Sequence, residues 1–280
     1  MQLIESIHGL KEKLAFYKKN GKIGFVPTMG ALHKGHLSLV NRCAEENQCS
    51  VVSIYVNPTQ FNDKNDLNRY PRNLELDLGL LANCNCDFVF APGDDEMYPV
   101  PDMRKFNFGL LETVMEGKFR PGHFNGVAQI VSKLFDAVQP DRAYFGLKDF
   151  QQLAVIKKMA IDYNYPVEIV PCDIVREADG LAMSSRNALL EPEKRNAAPF
   201  IYNSLLFASE LSKTKSPGEI KQEINMLYQK NTELELEYFE IVDNNSLLPV
   251  EHFGNKNLCT ACIAVFAGKI RLIDNIQFNS

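Results

Sequence analysis

Four short runs decide what this chain can fold into: "KIGFVP" (22–27), "SVVSIYVN" (50–57), "DFVFAP" (87–92) and "RAYFG" (142–146). Each is β-branched or aromatic and apolar on both faces, as strands buried between two helical layers are. Helical segments fall between and after them. "GHFNGVAQIVSKLFDAV" (122–138) puts Phe124, Val127, Ala128, Val131, Leu134, Phe135 and Val138 on one stripe. "DFQQLAVIKKMAIDYN" (149–164) is a second amphipathic helix, and "PVEIVPCDIV" (166–175) returns to strand. Such alternation predicts an α/β fold around a doubly wound parallel sheet. Ligands of these sheets bind beyond the carboxyl ends of the strands, where the loops opening "PTMG", "NPTQF" and "GLKD" lie.

After about residue 177 the pattern changes. Two helical segments (roughly 191–211 and 217–229) precede "LELEYFEIVD" (234–243), which alternates as a half-exposed strand. "TACIAVFAGKIRLID" then reads as a hairpin turning at Gly268-Lys269. The predicted organisation is a large domain over 1–176 and a smaller α+β domain over 177–280.

Composition narrows the classes. With 45% hydrophobic and 23% charged residues the chain is globular, and no apolar stretch approaches the ~20 residues of a membrane span. The N-terminus "MQLIESIHGLKEKL" lacks the apolar core of a signal peptide and the arginine bias of a transit peptide, so the expected location is cytoplasmic, away from membranes. The net charge of −5, from 30 basic and 35 acidic residues, disfavours nucleic acid as a partner. An anionic ligand must then be held by local positive groups. Seven cysteines, an odd number, read as reduced packing residues. "CTAC" (259–262) has a metal-like spacing, but residues three apart in a strand face opposite ways and cannot share an ion.

Four stretches carry chemistry. In "GFVPTMGALHKGHLSLV" (24–40) a strand ends, Thr28 to Gly30 turn the chain, and a helix opens at Gly35 and His36. His33 and His36 share a face beside unpaired N–H groups that bind anions. Two imidazoles there suit a phosphate under attack; the plainer alternative is a pair of capping or solvent-facing histidines. In "YVNPTQF" (55–61), Asn57 and Gln60 end a buried strand, where amides point at a ligand or simply build an Asn-Pro turn. In "YFGLKDFQQL" (144–153), Lys148 suits phosphate and Asp149 a ribose hydroxyl, with Gln152 one turn on; Asp149 as a helix cap and Lys148 as surface is the alternative. In "READGLAMSSRN" (176–187), hydroxyls and the Arg186 guanidinium can close over a triphosphate, unless this is a surface loop without a role.

Together with "YPRNLELDL" and "FRPGHFNGV", these stretches resemble the pantothenate synthetase family (pantoate–β-alanine ligases) of the H-x-G-H nucleotidyltransferase superfamily, in order, over residues 22 to 190. The resemblance implies a Rossmann-like N-terminal domain, a smaller C-terminal lid and a homodimer. It implies that pantoate and ATP, accompanied by Mg2+, form pantoyl adenylate and pyrophosphate, after which β-alanine displaces AMP; no tightly bound organic cofactor is implied. By resemblance His33, His36 (the position usually called the proton donor), Lys148 and Arg186 are catalytic. Met29, Gly30, Ala31, Leu32, His33, Lys34, Gly35 and His36 line the ATP site. So do Gly146, Leu147, Lys148, Asp149, Val175, Met183, Ser184, Ser185 and Arg186. Gln60, Gln152 and Asn57 hold pantoate, and Gln60 also touches β-alanine. Leu147 replaces the family's usual Glu or Gln, so no side-chain role is implied there. The family's acidic run is reduced to Glu75 and Asp77; Asp77 is a weak metal candidate, and the ATP phosphates are expected to carry most of the magnesium. The rival readings are another H-x-G-H adenylyltransferase acting on a different acid or phosphate, and a non-catalytic nucleotide-binding protein on the same fold.

Overall fold

The computed structural model describes residues 1–254 and 259–278, so 255–258 and 279–280 of the predicted second domain lie outside the described residues. Six strands, β1 (Gln2–Ile4), β2 (Ile23–Thr28), β3 (Cys49–Ile54), β4 (Phe88–Phe90), β5 (Arg142–Gly146) and β6 (Glu168–Cys172), form one sheet. It is parallel throughout, in the order β1-β4-β3-β2-β5-β6. Three longer strands, β7 (Glu235–Asp243), β8 (Cys259–Ala267) and β9 (Ile270–Phe278), pair antiparallel in a second sheet. From β2 the chain runs outward through β3 and β4, then crosses back to β5 and β6 on the other side. That reversal opens a crevice beyond the carboxyl ends of β2 and β5.

The strands are apolar on both faces because both are covered. Phe25 of β2 packs with Phe135 of helix His123–Val138 on one face. Its neighbour Val26 packs with Val40 of helix Lys34–Glu46 on the other. Each such side chain contributes about 1.5–3 kcal/mol by leaving water. The edge strand β1 has too few residues to show a period, and it is absent from the sequence reading.

In the C-terminal part, the helix expected over 191–211 is two, Pro192–Ala197 and Phe200–Leu211. Pro199 between them lacks the N–H that a continuous helix requires. Strand β7 does not alternate cleanly either: a register shift between Leu236 and Tyr238 marks a bulge at Glu237. Strand β8 is buried on both sides. Cys259, Ala261, Ile263 and Val265 face the helices Phe200–Leu211 and Pro217–Gln229, whose Leu205 and Ile224 join that core. Cys262 and Ala264 face Met115, Phe150 and the first sheet's side. The two cysteines thus point opposite ways, as their spacing requires.

Candidate active site

A cavity of about 220 Å3 occupies the crevice, bounded by loops that leave β2, β3, β5 and β6. His33, His36, Gln60, Lys148, Asp149 and Arg186 all line it.

The histidine pair is built by the backbone. After β2, Gly30 and Ala31 both take left-handed conformations, at φ 76° and 51°. Asp77, buried in the helix Leu74–Leu81, holds that turn: its carboxylate accepts N–H bonds from Ala31 (2.9 Å) and Leu32 (2.8 Å). Burial raises the Asp77 pKa, and the two backbone donors work against that rise. Both Asp77 oxygens thus serve the turn, and the residue clamps it. Among the described residues no group of three His, Cys, Asp or Glu could hold an ion.

Past the turn, His33 becomes the N-cap of helix Lys34–Glu46, and the two imidazoles act as a capping box. Gly35 N–H donates to His33 Nδ1 (3.2 Å), and His33 N–H donates to His36 Nδ1 (3.4 Å). An Nδ1 that accepts a hydrogen bond carries no proton, so each neutral ring is protonated at Nε2. Burial, with Lys148 nearby, lowers the His33 pKa to about 4; burial, with His33 and Lys148 adding, lowers His36 to about 3. The rings sit 4.1 Å apart, tilted by 38°. Capping therefore does not exhaust the rings: Nδ1 serves the helix, and Nε2–H is left for the cavity that both rings line.

The amide side is organised by mutual commitment. Asn57 is 1% exposed, and its side chain is fully used. Its Nδ2 donates to Gln60 Oε1 and Gly126 O (both 3.1 Å), while Oδ1 accepts from the Tyr98 hydroxyl (2.7 Å) and Thr59 Oγ1 (3.1 Å). Asn57 thus stands behind Gln60 with nothing left to bind a substrate directly. Gln60 Oε1 is taken, and its Nε2 donates to Met29 Sδ at 3.0 Å, with both residues lining the cavity. Gln152 lines the same cavity with its amide uncommitted among the described residues.

The sequence reading gave no role to His123, Arg120 or Tyr98. His123 Nδ1 meets the Gln60 carbonyl at 2.8 Å, and Arg120 Nη1 meets Nε2 at 3.1 Å. A carbonyl only accepts and a guanidinium only donates, so this ring is neutral and protonated at Nδ1. Its pKa is lowered to about 4, chiefly by burial. The helix it opens presses on the Gln60 turn at Gly126, where any Cβ would collide with the Thr59 carbonyl oxygen. Arg120 and His123 lie in "FRPGHFNGV", a likeness without assigned roles, whereas no motif points to Tyr98.

On the far wall, Gly146 leaves β5 with open space where a Cβ would stand. Lys148 and Asp149 follow in a short 3-10 turn and line the cavity without an ion-pair partner among the described residues. Leu147 is different: its side chain packs against the core of the parallel sheet, away from the cavity. Gly30, Ala31 and Leu32 form the clamped turn, with Leu32 in the core, and Lys34 is exposed outside it. Val175, Met183, Ser184, Ser185 and Arg186 all reach the cavity. Their segment is tied down more than its composition suggests. Met183 N–H donates to Val175 O (3.0 Å), Arg176 bridges Ala182, and Ser184 Oγ caps Arg186 N–H (3.2 Å). The Arg186 guanidinium pairs with Asp66 at 2.9 Å.

The sequence profile of the family described as pantoate-beta-alanine ligase matches residues 2–277. The pantothenate synthetase of Bacteroides thetaiotaomicron is 53% identical over 279 residues, covering 99% of each chain. The crystal structure of the enzyme of that name from Thermus thermophilus superposes with a TM-score of 0.92 at 43% identity, covering 99% of both chains. A pantoate-beta-alanine ligase from Francisella tularensis, described as complexed with beta-gamma ATP and beta-alanine, superposes with a TM-score of 0.83 at 35% identity, covering 99% of this chain and 97% of that one. A profile match across nearly every residue, joined to such identities over the whole length, establishes that the chain belongs to the pantoate–β-alanine ligase family.

Proposed function

We propose that this protein condenses pantoate with β-alanine to give pantothenate, using ATP through a pantoyl-adenylate intermediate. The observation that carries the reading is that His33 and His36, whose Nδ1 atoms accept backbone N–H bonds, line one cavity with Gln60 and with Lys148, which has no ion-pair partner among the described residues.

In the first step a pantoate carboxylate oxygen attacks the α-phosphorus of ATP, the bond to the β-phosphate oxygen breaks, and pyrophosphate leaves. Negative charge moves onto the departing phosphates. The helix N-terminus, Lys148 and two N–H donors on His33 and His36 lie where they stabilise it without reorganising. With a pKa near 3, His36 acts as a donor of a hydrogen bond and keeps its proton. In the second step the β-alanine amine attacks the acyl carbon and AMP departs, with the amine proton released. Gln60 and Gln152 offer uncharged amides to a substrate rich in hydroxyls, with Gln60 next to the β-alanine position. Asn57 serves the acid through Gln60.

Along the nucleotide, the proposed contacts are Met29, Gly35, Gly146, Asp149, Val175 and Met183 to Ser185, with the backbone of Leu147. Arg186 exchanges Asp66 for phosphate as the segment over 177–280 covers the site opened by 1–176. ATP enters as its magnesium complex, the ion held by phosphate oxygens, since Asp77 is otherwise engaged. A homodimer and a cytoplasmic location belong to the same proposal, supported by the family membership.

Isotope exchange between pyrophosphate and ATP tests the reading. Exchange that requires pantoate and proceeds without β-alanine is expected. Exchange independent of pantoate would assign another adenylyl acceptor, and nucleotide binding without any exchange would leave a non-catalytic protein.

A further inference from the structure

Two adjacent residues of β9, Asp274 and Asn275, are polar, buried and outside the substrate cavity. Asn275 Nδ2 donates one N–H to the carbonyl of Leu147 (2.9 Å) and the other to that of Lys148 (3.0 Å). The Asp274 carboxylate receives both arms of the Arg176 guanidinium, at 2.6 and 3.0 Å, and the N–H of Asn275 at 2.8 Å. Arg176 also donates to Gly180 O (3.1 Å) and Asn275 O (3.3 Å), and lies 3.6 Å over the Tyr202 ring.

We infer that Asp274 and Asn275 are positioning residues that set the register between the Lys148 turn and the segment carrying Ser184 to Arg186. One residue grips the first loop by two backbone carbonyls. Its neighbour grips Arg176, whose bridge to Ala182 leads directly into Met183. A bidentate, fully satisfied pair holds both orientation and distance, which a single bond does not. Only a side chain with two N–H groups on one nitrogen spans both carbonyls, so Asn275 has no apolar substitute. Lys148 needs this support because its ammonium has no partner of its own among the described residues. The C-terminal sheet thereby acts on catalysis from behind the nucleotide loops.

The inference rests on the proposed nucleotide site. Its test is the full-length Asn275→Ala variant in pantoate-dependent pyrophosphate exchange, with active sites titrated by the adenylate burst. The expected result is a per-site rate lower by about 10–100-fold and a raised KM for ATP, the size of effect that small misplacement of reacting groups produces. The KM for pantoate stays within about twofold, because the Gln60 wall is untouched, while the melting temperature of the empty protein falls by a few degrees as two carbonyls lose their donor. Unchanged per-site rate and ATP KM in the folded variant would overturn the inference, as would a lower active-site titre alone, the mark of a packing role. If Asn275→Ala does not fold, Arg176→Lys, which keeps the charge and loses the fork, is judged by the same criteria. Lys148→Ala in the same assay separates the two claims: full exchange there removes the nucleotide site itself, whereas lost exchange with a normal Asn275→Ala removes only the strut.

Discussion

The two walls of the cavity are built by opposite rules. On the histidine wall, side chains spend one atom on the backbone and keep another for the cavity: His33 and His36 accept at Nδ1 and retain Nε2–H. On the amide wall, one side chain is spent entirely so that another is held in place. Asn57 exhausts its hydrogen bonds on Gln60, Gly126, Tyr98 and Thr59, and Gln60 is thereby oriented. The lesson is that a residue's neighbours, more than its type, decide whether it binds or holds. Charge follows the same division, with Lys148 and Arg186 on the histidine side and uncharged amides on the other.

The largest effect should come from removing the Lys148 cation. Lys148→Ala is expected to lower the exchange rate by at least about 10²-fold while leaving pantoate affinity unaltered, read by KM for each substrate. Weakened pantoate binding at unchanged rate would mean the walls are not separate. Next come the amides. Gln60→Ala and Asn57→Ala should each reduce kcat/KM for pantoate by about 10–100-fold, and the double variant should be little worse than either alone, because Asn57 acts through Gln60. Additive losses would give Asn57 a contact of its own.

Gly126→Ala probes the amide wall from behind. The new methyl collides with the Thr59 carbonyl and must shift the turn that carries Gln60. A destabilisation of about 1–3 kcal/mol with a raised KM for pantoate is expected, and an ATP KM close to wild type. The smallest effect is on stability against pH. His33, His36 and His123 have folded pKa values near 4, 3 and 4, below the ordinary 6.5. Between those values and 6.5 the unfolded chain binds protons that the native one refuses. Their contribution is therefore complete above about pH 6.5 and is lost as pH falls toward 4 for His33 and His123 and toward 3 for His36. His123→Gln should flatten the melting curve's pH dependence in that window, by at most about 1.4 kcal/mol per pH unit. An identical slope in the variant would show that His123 is charged in the fold.

The parallel sheet was legible in the sequence because its strands are apolar on both faces, a pattern few other folds require. The clean hairpin at Gly268 was legible from its turn, whereas the bulge at Glu237 left no mark on the alternation around it. The site was legible where loops leave strands: His33, His36, Gln60, Lys148, Asp149, Gln152 and Arg186 do converge. What sequence could not tell apart was contact and support. Asp77 resembled a ligand for a cation and clamps a turn; Leu147 lies among site residues and faces the core. His123 and Asn275 lie far along the chain from the loops they hold, and no local spacing announces a hydrogen bond to a distant carbonyl.

The most direct test is nitrogen NMR of the full-length protein carrying 15N-labelled histidine, with His33 and His36 assigned by substitution. Neutral rings at pH 7, each with its proton on Nε2, and with that N–H signal shifted when ATP and pantoate are added, are the predicted result. A charged imidazolium at either position, or a proton on Nδ1, would contradict it.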